Sequence, residues 1–294
     1  MAICLGHKNY LRMKRIVFLL VGLILMGGFS QSKAQTTPTS IYSKNHTKNE
    51  RPIPYAHIRE ADVIFSKLVW REINLREKMN QPMYYPTQPM DDRYSLIDLL
   101  MFGIENEGLT AYDTDDDEFT TPMSIEDIRS KFGAGVDTIR QPNRETGLME
   151  TKIIPRSIST NEVTKYLVKE QWLFDKQSST LQVRIIGLCP IREYVKDGDS
   201  ELDGLRKKKM FWVFFPEARP LLATHEVFNP FNDARRFSYD DLFMKRRFSS
   251  YITQVSNVHD NRRIDSYTVG LQTMLESEKI KNDLLNVEQD FWEY

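Results

Sequence analysis

The longest apolar run in the chain is Ile16 to Met26, eleven residues interrupted only by Gly22. It sits behind a basic stretch of Lys8, Arg12, Lys14 and Arg15, and Ser32-Lys33-Ala34 follows it with small residues at the −3 and −1 positions of a cleavage site. A helix needs about 20 apolar residues to cross a bilayer. This run is therefore read as the core of a cleaved export signal over 1–34, with no direct membrane span. No Cys stands near the cleavage site, so lipid attachment at a new N-terminal Cys is not expected. Export also fixes how the rest must fold. Cys4 leaves with the signal, Cys189 stands alone, and no internal disulfide is possible. The body must hold itself together by packing. Cys189 lies in the apolar stretch Ile185-Ile186-Gly187-Leu188-Cys189-Pro190 with no His within 30 residues, which reads as a buried, inert thiol.

Charge is unevenly distributed. The chain has 40 Lys and Arg against 41 Asp and Glu, and five of the basic residues lie in the signal, so the remainder carries a net of −6. Residues 91–127 hold twelve acidic side chains and one basic one, Arg93. Residues 206–263 hold twelve basic and six acidic side chains, beginning with Arg206-Lys207-Lys208-Lys209. Such regions pack against each other, are solvated, or face a neighbour. Opposite patches on one molecule favour head-to-tail contacts that close into rings or continue as filaments. Asp115, Asp116 and Asp117 with Arg206, Lys207, Lys208 and Lys209 are thus candidate partner-binding residues. The basic stripe with Phe211, Trp212, Phe214 and Phe215 superficially suggests nucleic acid. An acidic, exported body makes that partner unsuitable, and the aromatics read as a core strand.

Three segments complete the domain plan. Residues 35–57 are rich in Thr, Ser, Asn, Lys and Pro and read as a flexible leader, whose extended Pro52-Ile53-Pro54-Tyr55 is placed to dock on a partner. Residues 58–294 form the body. The spacing of Ile58, Ala61, Phe65, Leu68, Val69, Ile73 and Leu75 predicts a helix over 58–79, ended by Gln81-Pro82. Met83-Tyr84-Tyr85-Pro86 reads as a short extended piece. Ser95 with Asp98 and Ser124 with Asp127 predict two capped helices, the first followed by Gly108 and the second stopped near Gly133. Residues 134–150 read as irregular and Asn161 to Val168 as helical. Alternation through Leu181, Val183 and Ile185 starts a strand running towards Tyr194, which pairs antiparallel with Met210 to Phe215 across a loop carrying Asp197-Gly198 and Asp203-Gly204. Helices return after Ser238, and the last covers 267–290. The expected class is α+β: a helical N-terminal part, a small antiparallel sheet and a helical C-terminal part. Trp292 and Tyr294 end the chain as aromatics that fold back or anchor a partner.

The search for chemistry is nearly empty. The chain has no His-Glu-x-x-His, Gly-x-Ser-x-Gly, P-loop or Gly-x-Gly-x-x-Gly. Asp113, Asp115 and Asp117 match positions 1, 3 and 5 of an EF-hand loop, but position 6 is Glu118 and position 12 is Ser124, so the match fails. No catalytic residue and no cofactor is assigned. An assembly protein, a periplasmic hydrolase without a recognisable motif, and a periplasmic ligand-binding domain all remain open on these residues.

A longer series of motifs resembles the GldN/PorN family of gliding-motility and type IX secretion proteins. It runs from Phe65-Ser66-Lys67-Leu68-Val69-Trp70-Arg71-Glu72 and Tyr84-Tyr85-Pro86 through Lys169-Glu170-Gln171-Trp172 and Arg184-Ile185-Ile186-Gly187. It continues in Phe211-Trp212-Val213-Phe214-Phe215-Pro216-Glu217-Ala218-Arg219, Phe228-Asn229, Ser256-Asn257-Val258 and Glu276-Ser277-Glu278-Lys279, and covers roughly 58–294. The resemblance implies a non-enzymatic structural subunit, periplasmic, self-associating in a ring. It also implies two partners: a GldK/PorK-like outer-membrane lipoprotein, which holds the subunit at that membrane, and a GldM/PorM-like inner-membrane motor protein. The family carries over no catalytic residues.

Overall fold

The computed structural model describes residues 48–90, 93–115, 117–134, 136–142, 149–155, 158–195, 205–232 and 235–292. The export signal, most of the leader, Asp116, the Asp197-Gly198 and Asp203-Gly204 turns and Tyr294 lie outside the described residues.

The predicted N-terminal helix is a strand. A single 3-10 turn, Glu60–Asp62, leads into β1 (Val63–Asn74). The helical spacing is a coincidence of a strand buried on both sides. Val69, Arg71 and Ile73 face one way, Trp70 and Glu72 the other, and all five are buried. A strand covered on both faces loses the period-two signature that marks a half-exposed one. Gln81-Pro82 does not end a helix but opens the one-turn α1 (Gln81–Tyr84), with Pro in the first turn, where its missing N–H is harmless. The next two helices form where the Ser-x-x-Asp pairs predict. In α2 (Leu96–Asn106) Ser95 Oγ accepts the Asp98 N–H at 3.2 Å, and in α3 (Ile125–Lys131) Ser124 Oγ accepts that of Asp127 at 3.2 Å. Gly108, just past α2, has φ +73°, the left-handed conformation in which glycine carries no side-chain penalty.

Between these helices lies the two-residue β2 (Ala111–Tyr112). The span read as irregular, 134–150, holds β3 (Val136–Pro142) and the start of β4 (Met149–Pro155), which pair as a hairpin. The helix expected over 161–168 is instead a 3-10 turn, Thr160–Glu162, and β5 (Val163–Asp175). β6 (Thr180–Tyr194) follows, then β7 (Arg206–Lys209) and β8 (Trp212–Phe214). The apolar run ends as a strand at Phe214. Pro216 then starts α4 (Phe215–Thr224). A short ladder of β9 (Glu226–Val227) with β10 (Phe237–Ser238) precedes α5 (Tyr239–Met244), capped by Ser238. β11 (Tyr251–Val255) and α6 (Leu271–Trp292) complete the chain.

The strands build one seven-stranded antiparallel sheet in the order β11-β1-β5-β6-β8-β2, with β7 also on β6. The expected helical N-terminal part and small two-stranded sheet are therefore both overturned. β1 lies one strand in from the β11 edge, held by β5 from Val63 to Asn74 and by β11 from Val69 to Glu72. One face of the sheet packs on the helices. Ile73, Tyr166, Val168 and Leu188 join Leu96, Leu99, Leu100, Phe215, Leu222 and Phe243 in the main core. At the far end of the same face Val69, Trp172, Ile252 and Ile264 meet Leu284 of α6. The opposite face carries a smaller cluster of Trp70, Leu167, Cys189, Ile191 and Trp212.

Candidate interaction surfaces

The acidic segment covers that smaller cluster. After β2 the chain crosses the sheet, and Phe119 drops onto Gly187. A Cβ at Gly187 would stand 2.4 Å from the Phe119 ring, so only glycine leaves room for it. The Phe119 ring makes edge contacts with Tyr112, Trp212 and Phe214 at centroid distances of 5.5–5.9 Å. Asp117 Oδ2 accepts the Trp70 indole N–H at 2.7 Å. Lys169 Nζ donates to the Asp117 carbonyl at 2.8 Å, lies 3.4 Å from its carboxylate, and sits over the Trp70 and Phe119 rings. Asp113 is paired with Lys131 at 2.8 Å, and that hydrogen bond holds its carboxyl below the usual carboxylate range. The carboxylates of Asp113 and Asp117 thus turn to separate lysines rather than to a common centre, while Asp115 is exposed. Among the described residues no three His, Cys, Asp or Glu side chains are grouped to hold a metal ion.

The basic run is β7, an edge strand against β6, with Glu193 opposite Lys207 and Arg192 opposite Lys208. Lys207 borders a polar cluster knitting four strands. Lys165 Nζ lies 2.7 Å from Glu72 and 3.4 Å from Glu193. Thr164 Oγ1 donates to Glu193 at 2.8 Å and Arg76 reaches it at 3.1 Å, while the Tyr251 hydroxyl donates to Glu72. Burial by itself raises the Glu193 carboxyl, but the Thr164 hydrogen bond and Lys165 together outweigh it and leave the group below its ordinary value. Lys207 is lowered, first by burial and then by Lys165. Sequence reasoning missed this cluster because its members are scattered over 180 positions and only strand pairing gathers them.

Of the predicted docking residues Pro52, Pro54 and Tyr55, it is Tyr55 that is held on the body, while Pro54 is exposed. The Tyr55 ring lies between the guanidinium groups of Arg184, 5.3 Å away, and Arg219, 4.8 Å away. Arg219 Nη2 donates to the Ile53 carbonyl at 2.6 Å, and Arg184 donates to that of Ala56. Arg219 is itself fixed by a bidentate pair with Asp240, at 2.8 and 3.1 Å. Paired prolines stiffen the extended segment that these arginines clasp. Arg219 and Asp240 are both buried, and neither carried a sequence signal of this role: Arg219 only ends a motif and Asp240 only suits a helix N-terminus.

At the C-terminus Phe291 stacks on Phe174 at 4.7 Å and on Phe65 at 6.2 Å. Trp292 ends α6, and its side chain is outside the described residues, as is Tyr294. Cys189 is fully buried, and burial pushes its thiol up to about 12. No helix among the described residues is long and apolar enough to cross a membrane. Compared with known families, the chain matches the model of the family described as gliding motility associated protein GldN, over residues 58–293. No curated protein matches it.

Proposed function

The chain belongs to the GldN family of gliding-motility and type IX secretion proteins, and from that premise we propose that it is a structural subunit rather than an enzyme. It assembles as a periplasmic ring held at the outer membrane by a GldK/PorK-like lipoprotein and contacted by a GldM/PorM-like inner-membrane motor protein. Its work is to support secretion across the outer membrane and, where the organism glides, motility. The observation that carries this reading is the family match over the whole body, residues 58–293. The chemistry-bearing side chains support it. Cys189 is a fully buried thiol raised by that burial, Glu72, Glu193 and Lys165 are engaged in pairs that tie strands together, and Asp117 is paired with Lys169 of β5. Co-expression with the cognate lipoprotein, followed by purification and electron microscopy, tests it. The expected result is a large annular particle containing both chains. A small species lacking the lipoprotein overturns the reading.

A further inference from the structure

The ladder between β1 and β11 stops early. Its last rung is the Ser256 N–H donating to the Leu68 carbonyl at 3.0 Å. Beyond it the chain turns away through Asn257 to Arg262, with Asp260 and Asn261 at φ of 52° and 54°. In an antiparallel strand a residue's N–H and C=O point to the same side, and alternate residues share that side. Ser66 therefore presents its N–H and C=O along the edge that β11 has left; the bulge at Ile64 breaks the alternation beyond it, and β1 pairs only with β5 there.

Beside this open edge lies a cleft of about 210 Å³ between β1 and α6. Phe65, Ile264 and Leu284 give it an apolar floor, and Lys67 and Arg262 stand in its wall. Among the described residues neither cation has a carboxylate partner; Arg262 only stacks on Tyr267 at 4.5 Å, and Asp283, also in the wall, lies beyond ion-pair reach of both. Native sheets usually blunt an exposed edge by covering or charging it. Here the open rung at Ser66 lies alongside an apolar recess and two unneutralised cations, which together form the parts of a strand-addition site: an unpaired backbone rung, a side-chain pocket and a charge filter.

We propose that Ser66 of β1 receives an extended segment of a partner protein, which continues the β11 position beyond the Leu68 rung. An apolar side chain fills the recess over Phe65 and Leu284, and an acidic side chain two residues away meets Lys67 and Arg262. Two residues is the spacing because alternate side chains of a strand share a face. The site serves the assembly role proposed above and rests on that reading only for its biological use.

The test pans the purified, exported full-length protein against a displayed library of random dodecapeptides. Enriched sequences should place Asp or Glu two residues from an aromatic or branched apolar residue. A synthetic peptide of the enriched sequence should bind at least tenfold more weakly when its acid is replaced by Lys. The Lys67→Glu/Arg262→Glu double variant should lose binding. Ser66→Pro should lose it too, because it removes an outward N–H from the open edge while leaving the β5 ladder intact. Unchanged thermal melts would show that both variants fold. No enrichment, enrichment of basic or purely apolar sequences, or binding that survives both variants overturns the proposal. So does a change in self-association in the double variant without loss of peptide binding, which would assign the cleft to a second copy. Annular particles formed with the lipoprotein are a separate readout, so failure of the cleft and failure of the assembly role are distinguishable.

Discussion

Asp117 accepts a hydrogen bond from the Trp70 indole at 2.7 Å, across 47 residues of chain, and so fastens the acidic segment to the face of its own sheet. Two lone features of the sequence, a run of aspartates and a tryptophan in an apolar stretch, are thereby halves of one contact.

The Phe119–Gly187 contact should behave as a coupled pair. Gly187→Ala forces a methyl group into the Phe119 ring and should destabilise by about 1–3 kcal/mol. Phe119→Ala removes a half-buried ring and should cost about 2 kcal/mol. The double variant should be more stable than the sum predicts, because the second change removes the clash of the first. Urea unfolding of the four proteins measures this; strict additivity would show that the two residues do not meet.

Arg219 should matter for more than its charge. Arg219→Ala leaves the buried Asp240 carboxylate unpaired and should cost about 3–5 kcal/mol. Tyr55→Ala should cost far less but release the clasped segment. Hydrogen exchange and limited proteolysis over 51–57 should then accelerate while the rest of the body keeps its protection. Uniform protection in Tyr55→Ala would contradict the clasp.

Stability should fall in acid partly through Glu193. Its folded pKa lies below its ordinary value, so its contribution is present above the ordinary carboxylate range and is lost as pH falls through the folded value. Glu193→Gln should be less stable at pH 7, and its loss of stability between pH 5 and pH 3 should be shallower than that of the parent. Parallel curves from denaturant titrations at each pH would remove Glu193 from the acid response.

Cys189 should resist thiol reagents in the native protein. Its thiol is fully buried and raised to about 12, whereas a free thiol has a pKa of about 8.5. Labelling at pH 8 should rise only with the fraction unfolded in urea. Fast labelling without denaturant would mean that the sheet opens locally at β6.

Charge reversal at Arg206 and Lys208 should weaken assembly most at low salt, where screening is least. Lys207 is spared in this design because it borders the Glu193–Lys165 cluster. Light scattering at two ionic strengths reads the effect, and assembly indifferent to both charge and salt would remove β7 from any interface.

What could be read from the sequence was local. Ser95 with Asp98 and Ser124 with Asp127 announced two helices because a cap is made within four residues, and β6 announced itself because part of it is half-exposed and alternates. β1 and β5 hid for the opposite reason. Arg71, Glu72, Lys169 and Glu170 are buried charged residues inside strands covered on both faces, and their polar positions imitate the solvent side of a helix. The β-branched and aromatic content of Val63-Ile64-Phe65 and Val69-Trp70 was the overlooked signal. The clasp on Tyr55 and the Glu72–Lys165–Glu193 cluster depend on register between distant strands, which no local pattern encodes.

The placement of β1 also shapes how the protein reaches its native state. Val69 must pair with Glu170 of β5, about a hundred residues later, and with Val255 later still. A strand formed from the early part of the chain is enclosed only when nearly the whole polypeptide has followed it. Such non-local closure is slow, and it leaves a sticky apolar ribbon waiting in the interim. Newly made chains should therefore depend on holding chaperones, and yield in the cell should respond more sharply to substitutions on the exposed half of β1 than equilibrium stability does.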